Sequence, residues 1–259
     1  MPITSKSKPS RPNPLEESLQ HIARLEKNDA KKSEFFMAAS HQLKSPVAII
    51  QWCLQSVMES TDIDPKNREM VWKALNQANA MSQLITDMLH VFRLVNRHGK
   101  SQTYTAVDVN AVIEQVLQQY DLAAHQRQVH LVRGPIEVLP PVYAEESFLR
   151  QALINLVDNA IKYSQVNGTV TVSSRLAKDG FVEVEVEDQG IGISEPEKLL
   201  LFSEFFRGEE ARIHTADGTG LGLVLVKHII EEFSGEVVVK SRVHRGSSFT
   251  VRLPSAKAK

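Results

Sequence analysis

From Val71 to Val95 the apolar positions Val71, Ala74, Ala78, Met81, Ile85, Met88, Phe92 and Val95 follow one another at alternating steps of three and four. A helix that buries one narrow stripe keeps this average of about 3.5 residues, the seam spacing of coiled coils and four-helix bundles. An earlier stripe, Phe36, Leu43, Val47, Ile50, Leu54 and Val57, keeps steps of three, four or seven. Between the two, Ser60-Thr61-Asp62-Ile63-Asp64-Pro65 gathers residues that stop one helix and start another. The pattern predicts an antiparallel helical hairpin over residues 35–96. Two helices with one apolar stripe each cover little surface, so the hairpin is expected to dimerise into a four-helix bundle. Leu15, Leu19, Ile22 and Leu25 suggest a helical lead-in over residues 15–34, and the Pro/Ser/Lys-rich residues 1–14 read as a flexible tail.

The period then changes. Residues 97–102 are polar, contain glycine and read as a linker; residues 103–255 form a second domain. Helical spacing returns over residues 110–126 and 145–163, while Val129–Arg133, Thr169–Arg175, Phe181–Glu187, Glu236–Ser241 and Ser248–Leu253 alternate as strands. Asp179-Gly180 supplies a hairpin turn. The expected fold is therefore α + α/β: a helical hairpin followed by an α/β sandwich, with helices on one face of a mixed sheet.

Composition narrows the chemistry. Thirty basic residues against thirty-one acidic ones leave a net charge of -1, without the basic bias on which nucleic-acid binding depends. The lone cysteine, Cys53, excludes an internal disulfide framework and lies next to Trp52 near the apolar stripe. No signal peptide or run long enough to span a membrane is present, so a cytoplasmic chain without membrane insertion is expected. Of only twelve glycines, half (Gly190, Gly192, Gly208, Gly218, Gly220, Gly222) fall between residues 190 and 222.

Three constellations carry chemistry. At 100° per residue, His41 lies about 160° around its helix from Leu43 and faces away from the bundle core, beside the small Ala38, Ser40 and Ser45. Pro46, five residues on, is expected to kink the helix. In the second, Asn155, Asn159 and Lys162 share a helical stripe within about 60°, about 120° around from the apolar Leu149, Leu153, Leu156 and Ala160. Two amides and an ammonium there suit Mg²⁺-bound polyphosphate. In the third, Asp188 ends a strand before Gly190 and Gly192, where a carboxylate can accept a ligand's exocyclic amine and the glycines admit a ring. Asp217-Gly218-Thr219-Gly220-Leu221-Gly222 then opens a helix whose unhindered amides suit phosphate. Phe202, Phe205, Phe206 and Arg207 lie between, as a flap able to close on a ligand.

In this order the blocks resemble a sensor histidine kinase of the two-component type, over roughly residues 34–254. The first half resembles a dimerisation and histidine-phosphotransfer (HisKA-type) domain with His41 in its H-box. The second resembles a GHKL-type ATP-binding catalytic domain, with Asn155–Ser164 as N-box, Asp188–Gly192 and Gly218–Leu223 as glycine boxes, and Phe202–Arg207 as F-box. The resemblance implies ATP and Mg²⁺ as cofactors. Asn159 would coordinate the metal with Asn155 beside it, Lys162 would meet phosphate, Tyr163 would line the adenine pocket and Asp188 would bind the adenine amine. The amides of Gly218, Gly220 and Gly222, in the segment that also holds Thr219 and Leu221, would hold the phosphates beneath the lid carrying Phe206 and Arg207. It also implies a homodimer that autophosphorylates His41 and passes the phosphoryl group to an Asp of a response-regulator receiver domain. An upstream sensor domain or sensor protein would supply the input.

Gln42 departs from the family pattern, which commonly has Glu or Asp after the phosphoacceptor to accept its proton. An amide is too weak a base for that role, so slow autophosphorylation is expected. Ser45 stands where Thr or Asn usually orients hydrolytic water, which keeps phosphatase activity in view. Two alternatives follow: an ATP-binding dimeric scaffold that does not autophosphorylate, signalled by Gln42, or a GHKL ATPase of another kind with Asp158 as base.

Overall fold

A computed structural model describes residues 43–59, 63–95, 104–215 and 218–256, with the backbone alone for 90–95. His41, Gln42, the expected tail and lead-in, and the linker at 97–102 lie outside the described residues.

Helix α1 covers residues 43–58, and α2 spans Pro65–Val95. The break between them has a local cause: the Asp64 carboxylate accepts from the amides of Lys66 and Asn67 at 2.9 and 3.1 Å, capping α2, while Pro65 takes its first position. Gln51 Nε2 donates to Asn79 Oδ1 at 2.8 Å and, nearer the turn, Arg68 donates to the Met58 carbonyl at 3.4 Å, so the helices run as an antiparallel pair. Val47, Ala78 and Ile85 are buried, whereas Leu43, Ile50, Val57 and Met81 of the same stripes remain exposed. Cys53 is exposed, like much of the stripe beside it.

The second domain follows as β1 (Thr105–Val107), α3 (Val109–Gln126), β2 (His130–Ile136), β3 (Val142–Ala144), α4 (Glu146–Tyr163), β4 (Thr169–Leu176), β5 (Phe181–Asp188), α5 (Glu195–Lys198), α6 (Glu209–His214), α7 (Gly222–Glu232), β6 (Glu236–Arg242) and β7 (Gly246–Pro254). Five strands form a mixed sheet in the order β2-β4-β5-β7-β6; β2 and β4 run parallel and the other pairs antiparallel. Period-2 alternation sets its faces. Val172 pairs with Val186, and Val184 with Val251, all buried beneath the helices. Their neighbours Thr171, Ser173, Glu185 and Thr250 are polar and half-buried on the opposite face.

Helices α3, α4 and α7 cover one face of this sheet, as the sequence predicts. The stripe Leu149, Leu153, Leu156 and Ala160 of α4 is buried as expected. Helix α7 is buried on a broad front, with Val224, Leu225, Val226, Ile229 and Ile230 all in the core. The reason is position, since α7 packs against α4, β6 and β7 and also against α2 of the hairpin. Strands β1 and β3 form a separate antiparallel pair absent from the sequence reading. Tyr104 fastens the start of this domain to the far end of α7, donating to Glu232 Oε1 at 3.0 Å and packing edge-on against Phe233.

Candidate nucleotide site

A cavity of about 610 Å³ opens where α4, the turn after β5 and the segment before α7 converge. Asn155, Asn159, Lys162 and Tyr163 line it from α4, Asp188 and Gly192 from the end of β5, and Phe206, Arg207, Gly218, Thr219, Gly220 and Gly222 from the lid. The structure thus brings together residues as far apart in sequence as 155 and 222.

At the base end, Asp188 is buried, and its Oδ1 accepts from the amides of Gly190 and Ser247 at 2.9 and 3.2 Å. Both bonds orient the carboxyl and involve one oxygen, leaving Oδ2 with its accepting capacity. Burial pushes the group up to about 6, against the opposing pull of the two amides. Gly190 stands behind the cavity rather than in its wall. A Cβ there would collide with the Tyr163 carbonyl, so close approach of the chain itself, and not of a ring, requires glycine. The bridge between Ser164 and Gly190 joins the end of α4 to the end of β5, and with it Tyr163 to Asp188.

At the other end, Asn155 is buried and its Nδ2 has no hydrogen-bond partner among the described residues. A buried, orphaned amide in a ligand-sized cavity marks a place for a polar ligand. Lys162 Nζ pairs with the Asp158 carboxylate at 2.5 Å one turn away, so its charge is already partnered. Asp158 and burial together push the Tyr120 hydroxyl in the cavity wall up to about 12, burial being the larger cause. Among the described residues no group of three or more His, Cys, Asp or Glu side chains is gathered for a metal. The amide oxygens of Asn155 and Asn159 in the cavity wall suit a hard cation that takes most of its ligands from phosphate and water.

The lid is tied internally. Arg207, expected beside a nucleotide, donates to the carbonyls of Gly218, Thr215 and Ala211 at 3.3, 2.7 and 3.4 Å. Gly220 has φ +71°, and a Cβ on it would press into the Phe205 backbone, whose amide donates to the Gly220 carbonyl at 3.2 Å. Leu221 is buried behind the lid, outside the cavity wall. Ser45 is exposed on α1.

The sequence reading missed a whole wall: Asn76, Asn79, Gln83 and Asp87 of α2 also line the cavity. Their spacing of three, four and four makes a polar helical stripe of the same kind as that of α4, a signal present in the sequence of α2.

A mixed sheet covered on one face by helices, with an amide-rich helix and a glycine-rich lid around one cavity, defines a nucleotide-binding ATPase domain. The description "Histidine kinase-, DNA gyrase B-, and HSP90-like ATPase" matches residues 144–257, and "His Kinase A (phospho-acceptor) domain" matches residues 31–97, a span that includes His41. Sensor-like histidine kinase SenX3 of Mycobacterium tuberculosis is 32% identical over 227 residues, covering 88% of this chain and 55% of the relative. Drug sensory protein A of Synechocystis is 32% identical over 244 residues, covering 90% of this chain and 36% of that protein. Full-length ShkA in complex with AMPPNP shares the architecture at a TM-score of 0.67 and 25% identity, covering 86% of this chain and 46% of that one. Acinetobacter baumannii histidine kinase AdeS aligns at 0.58 and 27% identity over 83% of this chain and 98% of that one. The chain belongs to the sensor histidine kinases. It spans about half the length of the SenX3 relatives it matches. Among the described residues no helix is long and apolar enough to cross a membrane.

Proposed function

We propose that the chain is an ATP-dependent protein-histidine kinase that phosphorylates His41 and then donates the phosphoryl group to an Asp of a response-regulator receiver domain. The observation that supports this reading is the cavity itself, whose wall gathers Asp188, Asn155, Asn159 and Lys162 with Gly218, Gly220 and Gly222. Oδ2 of Asp188 would accept the adenine amine, and Tyr163 would flank the base. The amides of Gly218, Gly220 and Gly222 would hold the phosphates, with Lys162 exchanging Asp158 for phosphate oxygen. Asn159 would hold Mg²⁺ together with those phosphates, and the ion would neutralise charge on them.

In the transfer a neutral imidazole nitrogen of His41 attacks the γ-phosphorus. An N–P bond forms, the bond to the β–γ bridging oxygen breaks, and ADP leaves. Near its ordinary pKa of ~6.5 a histidine is mostly neutral at pH 7. Gln42 cannot take the proton, so Gln42→Glu should speed autophosphorylation by up to roughly 10²-fold. Ser45 would serve a phosphatase reaction on the phosphorylated receiver. The exposed stripes of α1 and α2 support a homodimer of the hairpins, with input from an upstream sensor domain or sensor protein.

Incubation with radiolabelled ATP and Mg²⁺ tests the reading. It requires an acid-labile label on the chain that His41→Ala abolishes. Free phosphate without protein label would instead identify a hydrolase, and neither product a nucleotide-binding scaffold.

A further inference from the structure

Thr219 sits in the middle of the glycine-rich lid, yet its hydroxyl donates to Oδ2 of Asp87 on α2 at 2.9 Å. The same Oγ1 accepts from the Leu221 amide at 3.2 Å, so one side chain fixes the turn that starts α7 and ties it to the hairpin. Asp87 is only 3% exposed, and its Oδ1 accepts from Gln83 Nε2 at 2.8 Å. A carboxylate withdrawn from water needs such donors, so lid and helix hold each other.

We infer that Asp87 is a catch for the nucleotide lid: by accepting the Thr219 hydroxyl it keeps the lid docked on α2 and opposes entry of a polyphosphate into the cavity. This rests on the ATP reading above and adds a regulation to it. The docked arrangement is a poor phosphate site for two reasons. Asp87 itself lines the cavity, so a second anion entering there meets its charge. Lys162, the cation on the adjoining wall, is already neutralised by Asp158. Nucleotide binding and docking of the lid on α2 are therefore opposed, so nucleotide favours release of the lid and release favours nucleotide. Because Asp87 is carried by a helix, an input that turns α2 by one residue, about 100°, swings the carboxylate off the lid.

The test uses the full chain with trinitrophenyl-ATP as a fluorescent probe and adenosine as a competitor without phosphates. Wild-type protein that fails to bind the probe would overturn the ATP reading itself. With binding established, Asp87→Ala should tighten the probe about threefold to tenfold, leave adenosine affinity unchanged, and speed hydrogen exchange of amides 218–226. The near-isosteric Asp87→Asn, which removes the charge while preserving shape, should move the probe in the same direction and guards against misfolding in the alanine variant. Unchanged or weaker probe binding in both variants, or an equal gain for adenosine, would overturn the inference.

Discussion

The two halves of the chain bury themselves to different degrees. The principal buried cluster of the described residues runs from Val107 to Leu253, entirely within the second domain, where three helices cover one face of five strands. The hairpin encloses little of its own stripe, and large side chains such as Trp52 (71% exposed) and Met81 (55%) face outward. One half is a finished core; the other is half of a seam. A signalling enzyme needs both kinds, because a catalytic fold has to survive motions that a helical joint has to permit.

The contrast can be broken most forcefully in the core. Leu153→Ala removes a fully buried side chain of α4 and should cost about 2–5 kcal/mol of unfolding free energy in urea denaturation. A smaller loss would show that the domain relaxes around cavities as a loose assembly does. Next comes the base end of the site. Asp188 is ionised above about 6 and protonated below, so an exocyclic amine loses its acceptor as pH falls through that value. Nucleotide affinity, followed by calorimetry between pH 8 and pH 5, should drop by roughly tenfold. In Asp188→Asn that pH dependence should disappear.

A gentler probe lies on the polar side of the sheet. Arg252 bonds Glu183 at 2.9 Å and Asp179 at 2.5 Å and also reaches Glu236, while Arg175 holds the other oxygen of Glu183 at 2.6 Å. Arg252→Ala should cost about 1–2 kcal/mol, less than loss of a lone partner, because Arg175 still faces the buried carboxylate. The smallest effect on the stability of a single chain is expected at Ile50→Asp, within about 0.5 kcal/mol, since Ile50 is half exposed. Sedimentation should nevertheless reveal weakened self-association. Intact dimers would mean that the exposed stripe is not the seam.

Much of this was legible beforehand, for identifiable reasons. The alternation over 169–175 predicts strand β4, which spans Thr169–Leu176, because alternation of small β-formers against a packed helix layer is a strong signal. The stripe of Asn155, Asn159 and Lys162 was legible because α4 presents one flank to the core and the next to the cavity. Strands β1 and β3 span three residues each, too short for a period to register. The broad burial of α7 comes from packing against α2, a neighbour more than a hundred residues away in sequence. Asp87 escaped for the same reason: within its own helix it looks like an ordinary solvated carboxylate, and only the fold gives it Thr219.

Helix α7 has a mechanical reading. Its first residue continues the glycine segment that lines the cavity, and beside its last lies Tyr104, near the start of the second domain. Eleven helical residues make a strut about 16 Å long, stiff over that distance. A shift of Tyr104 at one end therefore reaches the cavity wall at the other along a single rod, so the anchor and the pocket cannot move independently.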